Sequence, residues 1–155
     1  MQDIVDNIKV YDYEKRLTNL KKILKDKKIR ISKQRLLILD YLMTHPIHPT
    51  ADDIFNDLKN EDPAISQATI YNSLNLFVKH KLVKELDFNM TSKRYEFYKK
   101  SHAHFICEEC GEIEDVEIAD IDYEENLSLY EINNVEVTFR GLCPHCQVKK
   151  TKDLC

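Results

Sequence analysis

The chain has 155 residues and a formal net charge of −4, but residues 1–100 carry 19 Lys and Arg against 14 Asp and Glu, whereas residues 101–155 carry 4 against 13. A basic first part and an acidic second part suggest two modules, only one of them suited to phosphate, although chance clustering of solvated charge gives the same tally. With two glycines and no apolar run of about 18 residues, glycine-loop nucleotide folds and membrane-spanning helices are both excluded.

Residues 1–16 show no secretory signal pattern, so a cytoplasmic location is expected. Leu17, Leu20 and Leu24 recur at helical spacing, with Lys21, Lys22, Lys25, Lys27 and Lys28 around them. Ser32 reads as the N-cap of a helix from Lys33 to Met43, with Leu36, Leu39 and Tyr41 or Leu42 turned inward. After Pro46 and Pro49, Thr50 caps a helix from Ala51 to Leu58, and Asp53 takes the capping-box position. Past Pro63, Ser66 caps a fourth helix from Gln67 to about Lys79. Its apolar stripe is Ile70, Leu74, Phe77 and Val78, while Gln67, Thr69, Tyr71, Asn72 and Asn75 face outward. Leu82–Phe88 and Lys93–Tyr98 are β-leaning runs joined by a turn at residues 89–92. Helices followed by a two-stranded ribbon predict a winged helix, whose fourth helix reads a DNA major groove while the ribbon touches backbone. A small helical domain with a solvated polar face fits the same pattern.

Beyond Ser101 come three short β-leaning runs, His104–Cys107, Ile113–Ile118 and Val135–Leu142. A helix is expected between the last two, around Asp120 to Tyr130. The expected class is α+β: a winged-helix domain over residues 1–98 and a small α/β domain over residues 99–155.

Cysteines in a cytoplasmic chain stay reduced, which favours metal ligation over disulfides. Cys107-Glu-Glu-Cys110 and Cys143-Pro-His-Cys146 are two Cys-x-x-Cys knuckles, and two knuckles complete a closed tetrahedral zinc site. Gly111 and Pro144 supply turn chemistry. A thioredoxin-like redox pair is the competing reading, but neither knuckle follows a βαβ pattern. Cys155 is expected to be a free thiol and His145 a bystander. His102 and His104 project from one face of an extended segment. With His48, Glu96 and Asp115 they form a mixed nitrogen and oxygen set suited to Fe²⁺, Mn²⁺ or Zn²⁺. Spacing alone favours the two neighbouring histidines over the other three.

Several stretches resemble the ferric uptake regulator (Fur) family. Arg30-Ile-Ser-Lys-Gln-Arg35, His48-Pro-Thr-Ala-Asp-Asp-Ile54 and Ala68-Thr-Ile-Tyr-Asn72 are similar to its DNA-binding domain. His102-Ala-His104-Phe-Ile-Cys107-Glu-Glu-Cys110-Gly111 and Cys143-Pro-His-Cys146 are similar to its dimerisation domain. The resemblance implies a homodimeric repressor of double-stranded operator DNA that is not an enzyme, has no small-molecule substrate and does not enter membranes. It implies structural Zn²⁺ on Cys107, Cys110, Cys143 and Cys146. It further implies a regulatory Fe²⁺ or Mn²⁺, or Zn²⁺ in a purified form, on His48, Glu96, His102, His104 and Asp115. Lys33, Arg35, Gln67, Thr69, Tyr71 and Asn72 are the implied DNA contacts.

Within the family the chain resembles the peroxide-responsive (PerR) branch, through the His48–Ile54 loop, Tyr71-Asn72 and Asp115. Glu96 departs from that branch, which usually has Asp there. The resemblance suggests that peroxide, acting at an iron-loaded site, oxidises His48 or His102 and releases DNA. An iron- or zinc-responsive regulator without peroxide sensing is the nearest alternative. A zinc hydrolase or deaminase is a remoter one, since neither a His-x-Glu nor a His-Glu-x-x-His signature occurs. A structural zinc module for a protein partner would leave the basic half unexplained.

Overall fold

The computed structural model describes residues 13–98, 102–119 and 124–153. Cys155 and residues 120–123, where a helix was expected to begin, lie outside the described residues. The fold is α+β and divides into two compact units, Met1–Tyr98 and Lys99–Cys155. Among the described residues no helix is long and apolar enough to cross a membrane.

In the first unit α1 (Tyr13–Asp26), α2 (Lys33–Thr44), α3 (Ala51–Leu58) and α4 (Gln67–Lys79) precede β1 (Val83–Leu86) and β2 (Arg94–Phe97). Each of the last three helices starts where a side-chain oxygen satisfies an orphan amide. Ser32 accepts from the Arg35 amide, and Ser66 from the Thr69 amide. Thr50 and Asp53 form a complete capping box. The α1 and α4 ends share another device. Lys28 and Lys81 both lie in the left-handed region at φ 57. The amide of Ile29 bonds the Leu24 carbonyl at 2.8 Å, and that of Leu82 bonds the Phe77 carbonyl at 2.9 Å. This is the Schellman end, with lysine where glycine is usual.

These ends aim the apolar faces at one core. Leu20, Leu24, Leu39, Ile54, Ile70, Leu74 and Phe77 are completely buried in it, joined by Val83 and Tyr95 of the ribbon. β1 and β2 pair antiparallel, with Lys84 opposite Glu96 and Leu86 opposite Arg94. The strands are shorter than the β-leaning runs because the chain turns at Asn89, which has φ 58 and donates its amide to Asp87 Oδ1 at 3.1 Å.

The second unit is a three-stranded sheet in the order β4-β3-β5, from β3 (Ala103–Cys107), β4 (Ile113–Val116) and β5 (Thr138–Gly141). β4 runs antiparallel to β3, and β5 parallel to it. Both outer strands are shorter than expected, because β3 starts at Ala103 and offers no ladder partner to Glu117, Ile118 or residues 135–136. Of the expected helix, the described residues show a short α5 (Glu124–Leu127), which ends before Tyr130 in a turn whose Tyr130 amide bonds the Leu127 carbonyl at 2.9 Å. α6 (Pro144–Asp153) starts inside the second knuckle. Pro144 therefore opens a helix rather than a turn, a position that suits its fixed φ and missing donor.

Candidate metal centres and nucleic-acid face

The two knuckles meet because β3 and β5 run side by side. Cys107 is opposite Gly141 in their parallel register, so Cys143 arrives two residues beyond the pair. The first knuckle turns tightly through Gly111, at φ 74, whose amide bonds the Cys107 carbonyl at 2.9 Å. The four sulfurs all lie within 4.8 Å of one another, with Cys110 and Cys143 at 3.9 Å. Four sulfurs held ~2.3 Å from one tetrahedral ion are ~3.8 Å apart, so the set fits zinc. Cys107, Cys143 and Cys146 are buried, and Cys110 is exposed. The thiols have unlike acidities. Backbone amides of Cys143 and Cys110 pull Cys107 down to about 6, whereas burial and the neighbouring thiols push Cys146 up to about 12. A cation at the centre removes that opposition, since it deprotonates coordinating thiols outright.

By unit, the remaining candidate metal ligands make two groups, one in each. In the second unit His104 and Asp115 are direct cross-strand partners, and His102 stands two residues before His104. Nε2 of His102 lies 3.1 Å from Nε2 of His104. Asp115 Oδ1 is 3.3 Å from the first and 3.5 Å from the second. Ligand atoms ~2.1 Å from one ion are roughly 3.0–3.4 Å apart at octahedral to tetrahedral angles; two of these distances fall in that range and the 3.5 Å one lies just beyond it.

In the first unit His48 and Glu96 make the other group. His48 Nε2 lies 3.4 Å from Glu96 Oε2, and both residues are buried, at 3% and 5% exposure. His48 has φ 52 although it precedes Pro49. A residue before proline is ordinarily driven to extended backbone. Such conformations cost about 1–3 kcal/mol and persist only where surroundings over-determine them. Here the surroundings are β2. The Tyr95 amide donates to the Pro49 carbonyl at 2.9 Å, and Arg94 Nη1 donates to the His48 carbonyl at 3.3 Å. Spacing in the sequence ranked His48 and Glu96 low, because their burial and their meeting both arise from this grip across the fold.

The expected DNA contacts are more mixed. Gln67, Tyr71 and Asn72 are exposed on α4, as is Lys33 on α2. Thr69 is partly withdrawn, its Oγ1 2.9 Å from Ser66 Oγ at the cap. Arg35 donates to the Arg30 carbonyl and so braces the turn before α2. Lys33 Nζ stands 4.0 Å from Asp62 Oδ2, in the loop before α4. A cavity of about 200 Å³ opens between Thr50 and Ala51 at the start of α3, Tyr71 of α4, and Thr91, Ser92 and Lys93 of the ribbon.

Comparison with known proteins identifies the family. A model of the ferric uptake regulator family matches residues 26–140. The peroxide operon regulator of Bacillus subtilis is 38% identical over 131 residues, which cover 82% of this chain and 90% of that protein. The structure of a Campylobacter jejuni peroxide stress regulator superposes with a TM-score of 0.61 at 31% identity, covering 84% of this chain and 98% of that one. The ferric uptake regulator of Helicobacter pylori shares the fold, with a TM-score of 0.68 at 24% identity over 89% of this chain and 95% of that one.

Proposed function

Because the chain belongs to the ferric uptake regulator family, we propose that it is a PerR-like repressor that binds operator DNA as a homodimer under the control of a metal and of peroxide. The observation that carries this reading is the spacing of donor atoms. His102, His104 and Asp115 stand 3.1–3.5 Å apart in one unit, and His48 and Glu96 3.4 Å apart in the other, as ligands of a first-row divalent ion do. The five residues together would hold one regulatory ion, Fe²⁺ or Mn²⁺, with Zn²⁺ able to replace it. Cys107, Cys110, Cys143 and Cys146 would hold a structural Zn²⁺. When bound, the regulatory ion supplies positive charge for two carboxylates and, as ferrous iron, reducing power toward peroxide.

The chain's own residues account for the rest. His48 and Glu96 sit in the unit whose α4 presents Gln67, Tyr71 and Asn72 to a major groove. Ligands drawn from both units restrict how the DNA-reading units are held in a dimer, and half-site spacing depends on that. A homodimer is supported by the second unit's exposed apolar side chains, Leu129, Tyr130, Val135 and Phe139. Phe139 lies on β5, an edge strand open to pairing.

A second reading is favoured by Glu96: an iron- or zinc-responsive regulator without peroxide sensing. Glutamate carries one methylene more than the aspartate usual in the peroxide branch, which moves the carboxylate relative to the imidazoles. Mobility shifts of operator DNA with Fe²⁺, Mn²⁺ or Zn²⁺, before and after peroxide, separate the two. Peroxide should release DNA from the iron form and leave the manganese form bound. Release from neither selects the second reading, and retention without any added metal refutes the metal switch.

A further inference from the structure

Among the residues around the His48–Glu96 pair, Arg94 is a side chain that touches the ligand loop without belonging to the ligand set. Three successive residues of β2 meet that loop. Arg94 Nη1 donates to the His48 carbonyl at 3.3 Å, the Tyr95 amide to the Pro49 carbonyl at 2.9 Å, and Glu96 Oε2 meets His48 Nε2 at 3.4 Å. The loop has little to hold itself with, since Pro46 and Pro49 have no amide hydrogen and His48 keeps φ 52 before a proline. The same guanidinium lies 4.0 Å from Asp53 Oδ2. Asp53 is the acid of the α3 capping box and accepts from the Thr50 amide at 2.9 Å. Arg94 thus links the carbonyl of His48 to the first turn of the helix that follows it.

We propose that Arg94 is a positioning residue for the regulatory site: it fixes the backbone of His48 so that the imidazole is preset beside Glu96 before any ion arrives. A guanidinium suits the task because its rigid, planar fork holds Nη1 where it donates to the carbonyl and stands 4.0 Å from the Asp53 carboxylate, a geometry that an ammonium on a flexible stem holds less well. Groups that orient a metal ligand commonly cost tenfold or more in affinity when removed. The inference rests on His48 being a ligand, as the proposed function has it.

The test uses the full chain with its structural zinc in place and Mn²⁺ as the probe, free Mn²⁺ being read by electron paramagnetic resonance. Arg94→Gln should weaken Mn²⁺ binding about tenfold, and Arg94→Lys by less. In a His48→Ala background the same Arg94→Gln change should alter affinity less than about twofold, because its effect passes through His48. A general loss of structure would instead lower affinity equally in both backgrounds, and that result overturns the proposal. So does an Arg94→Gln protein that binds Mn²⁺ as tightly as the parent. In the metal-free protein the Tyr95 amide should exchange faster in Arg94→Gln than in the parent, and unchanged exchange also counts against the clamp. If His48→Ala alone leaves Mn²⁺ affinity unaltered, the ligand assignment itself fails and this inference fails with it.

Discussion

Replacing one cysteine of the clamp, Cys107→Ser, should unfold the second unit and spare the first. Among the described residues the second unit buries little apolar surface: Ala103 and Ile106 beside three cysteines, with Phe105 and Leu142 partly covered. Burial of Ile106 and part of Phe105 contributes on the order of 2–3 kcal/mol each at best. The strands β3, β4 and β5 hold 5, 4 and 4 residues, and fixing the backbone of each residue costs about 1–2 kcal/mol. Apolar burial therefore falls well short of ordering even the sheet. A four-thiolate zinc site, with apparent binding free energies of about 10–16 kcal/mol in small domains, is the term large enough to close the gap. The first unit has no such dependence, since its core draws on all four helices. Hydrogen exchange read by mass spectrometry should show protection lost across residues 103–116 and 138–153 in Cys107→Ser, with residues 20–86 unchanged. Elemental analysis should show zinc lost as well. Cys155→Ser, outside the set, should retain it. A zinc-free protein whose β3 and β5 amides stay as protected as in the zinc-loaded form would refute the reasoning.

Thr50→Ala removes one side of the α3 capping box and should cost about 1 kcal/mol, seen as a lower urea midpoint at constant slope. Burial, reinforced by nearby Glu85, raises the Tyr95 hydroxyl to about 12, and burial with a bond to Asp57 raises Tyr41 as well. A raised folded value means stability that is complete below the unfolded value of about 10 and is lost as pH climbs toward 12. Unfolding stability from urea titrations should therefore drop between pH 10 and 12, by up to about 2–3 kcal/mol for Tyr95, and Tyr95→Phe should flatten the drop. Lys33→Ala should weaken operator and non-specific DNA alike. It should also reduce the slope of log affinity against log salt by about 1, and an unchanged slope would remove Lys33 from the phosphate contacts.

How much of this was legible in the sequence depended on whether the information was local. Caps are local: Ser32, Thr50 and Ser66 each lie three residues from the amide they satisfy, and all three were readable. The knuckles are local too, but their meeting depends on the parallel register of β3 with β5, which spacing does not encode. Asp115 joins His104 through an antiparallel register that is equally invisible in the chain. Strand ends were overestimated because β-leaning side chains mark a run, whereas a ladder ends where its partner ends. Pro144 was misread for a similar reason, since the same residue suits a turn or the first position of a helix. Arg35 was expected to contact DNA through the family resemblance alone, and its bond to the Arg30 carbonyl is visible only in the folded turn.

His48, a proposed ligand that spacing in the sequence ranks low, sits where the fold ties it to other elements of the first unit. Its loop leads directly into the cap of α3, and its carbonyl is held by Arg94 of the ribbon. The ribbon also walls the cavity that Tyr71 of α4 shares with Thr50 and Ala51. The His48 loop is therefore tied both to α3 and to the ribbon, two elements that share one core with α4. A metal can shift such an arrangement only through a difference in affinity between its alternatives, since equal binding to both changes nothing. In the proposed site that difference would come from His48 and Glu96, which are buried at 3% and 5% exposure with their ligand atoms 3.4 Å apart, so that a cation held between them meets little water. Lengthening or shortening the carboxylate at position 96 changes this balance directly. If this pair holds the regulatory ion as proposed, the residue at position 96 bears directly on which ion the first unit prefers.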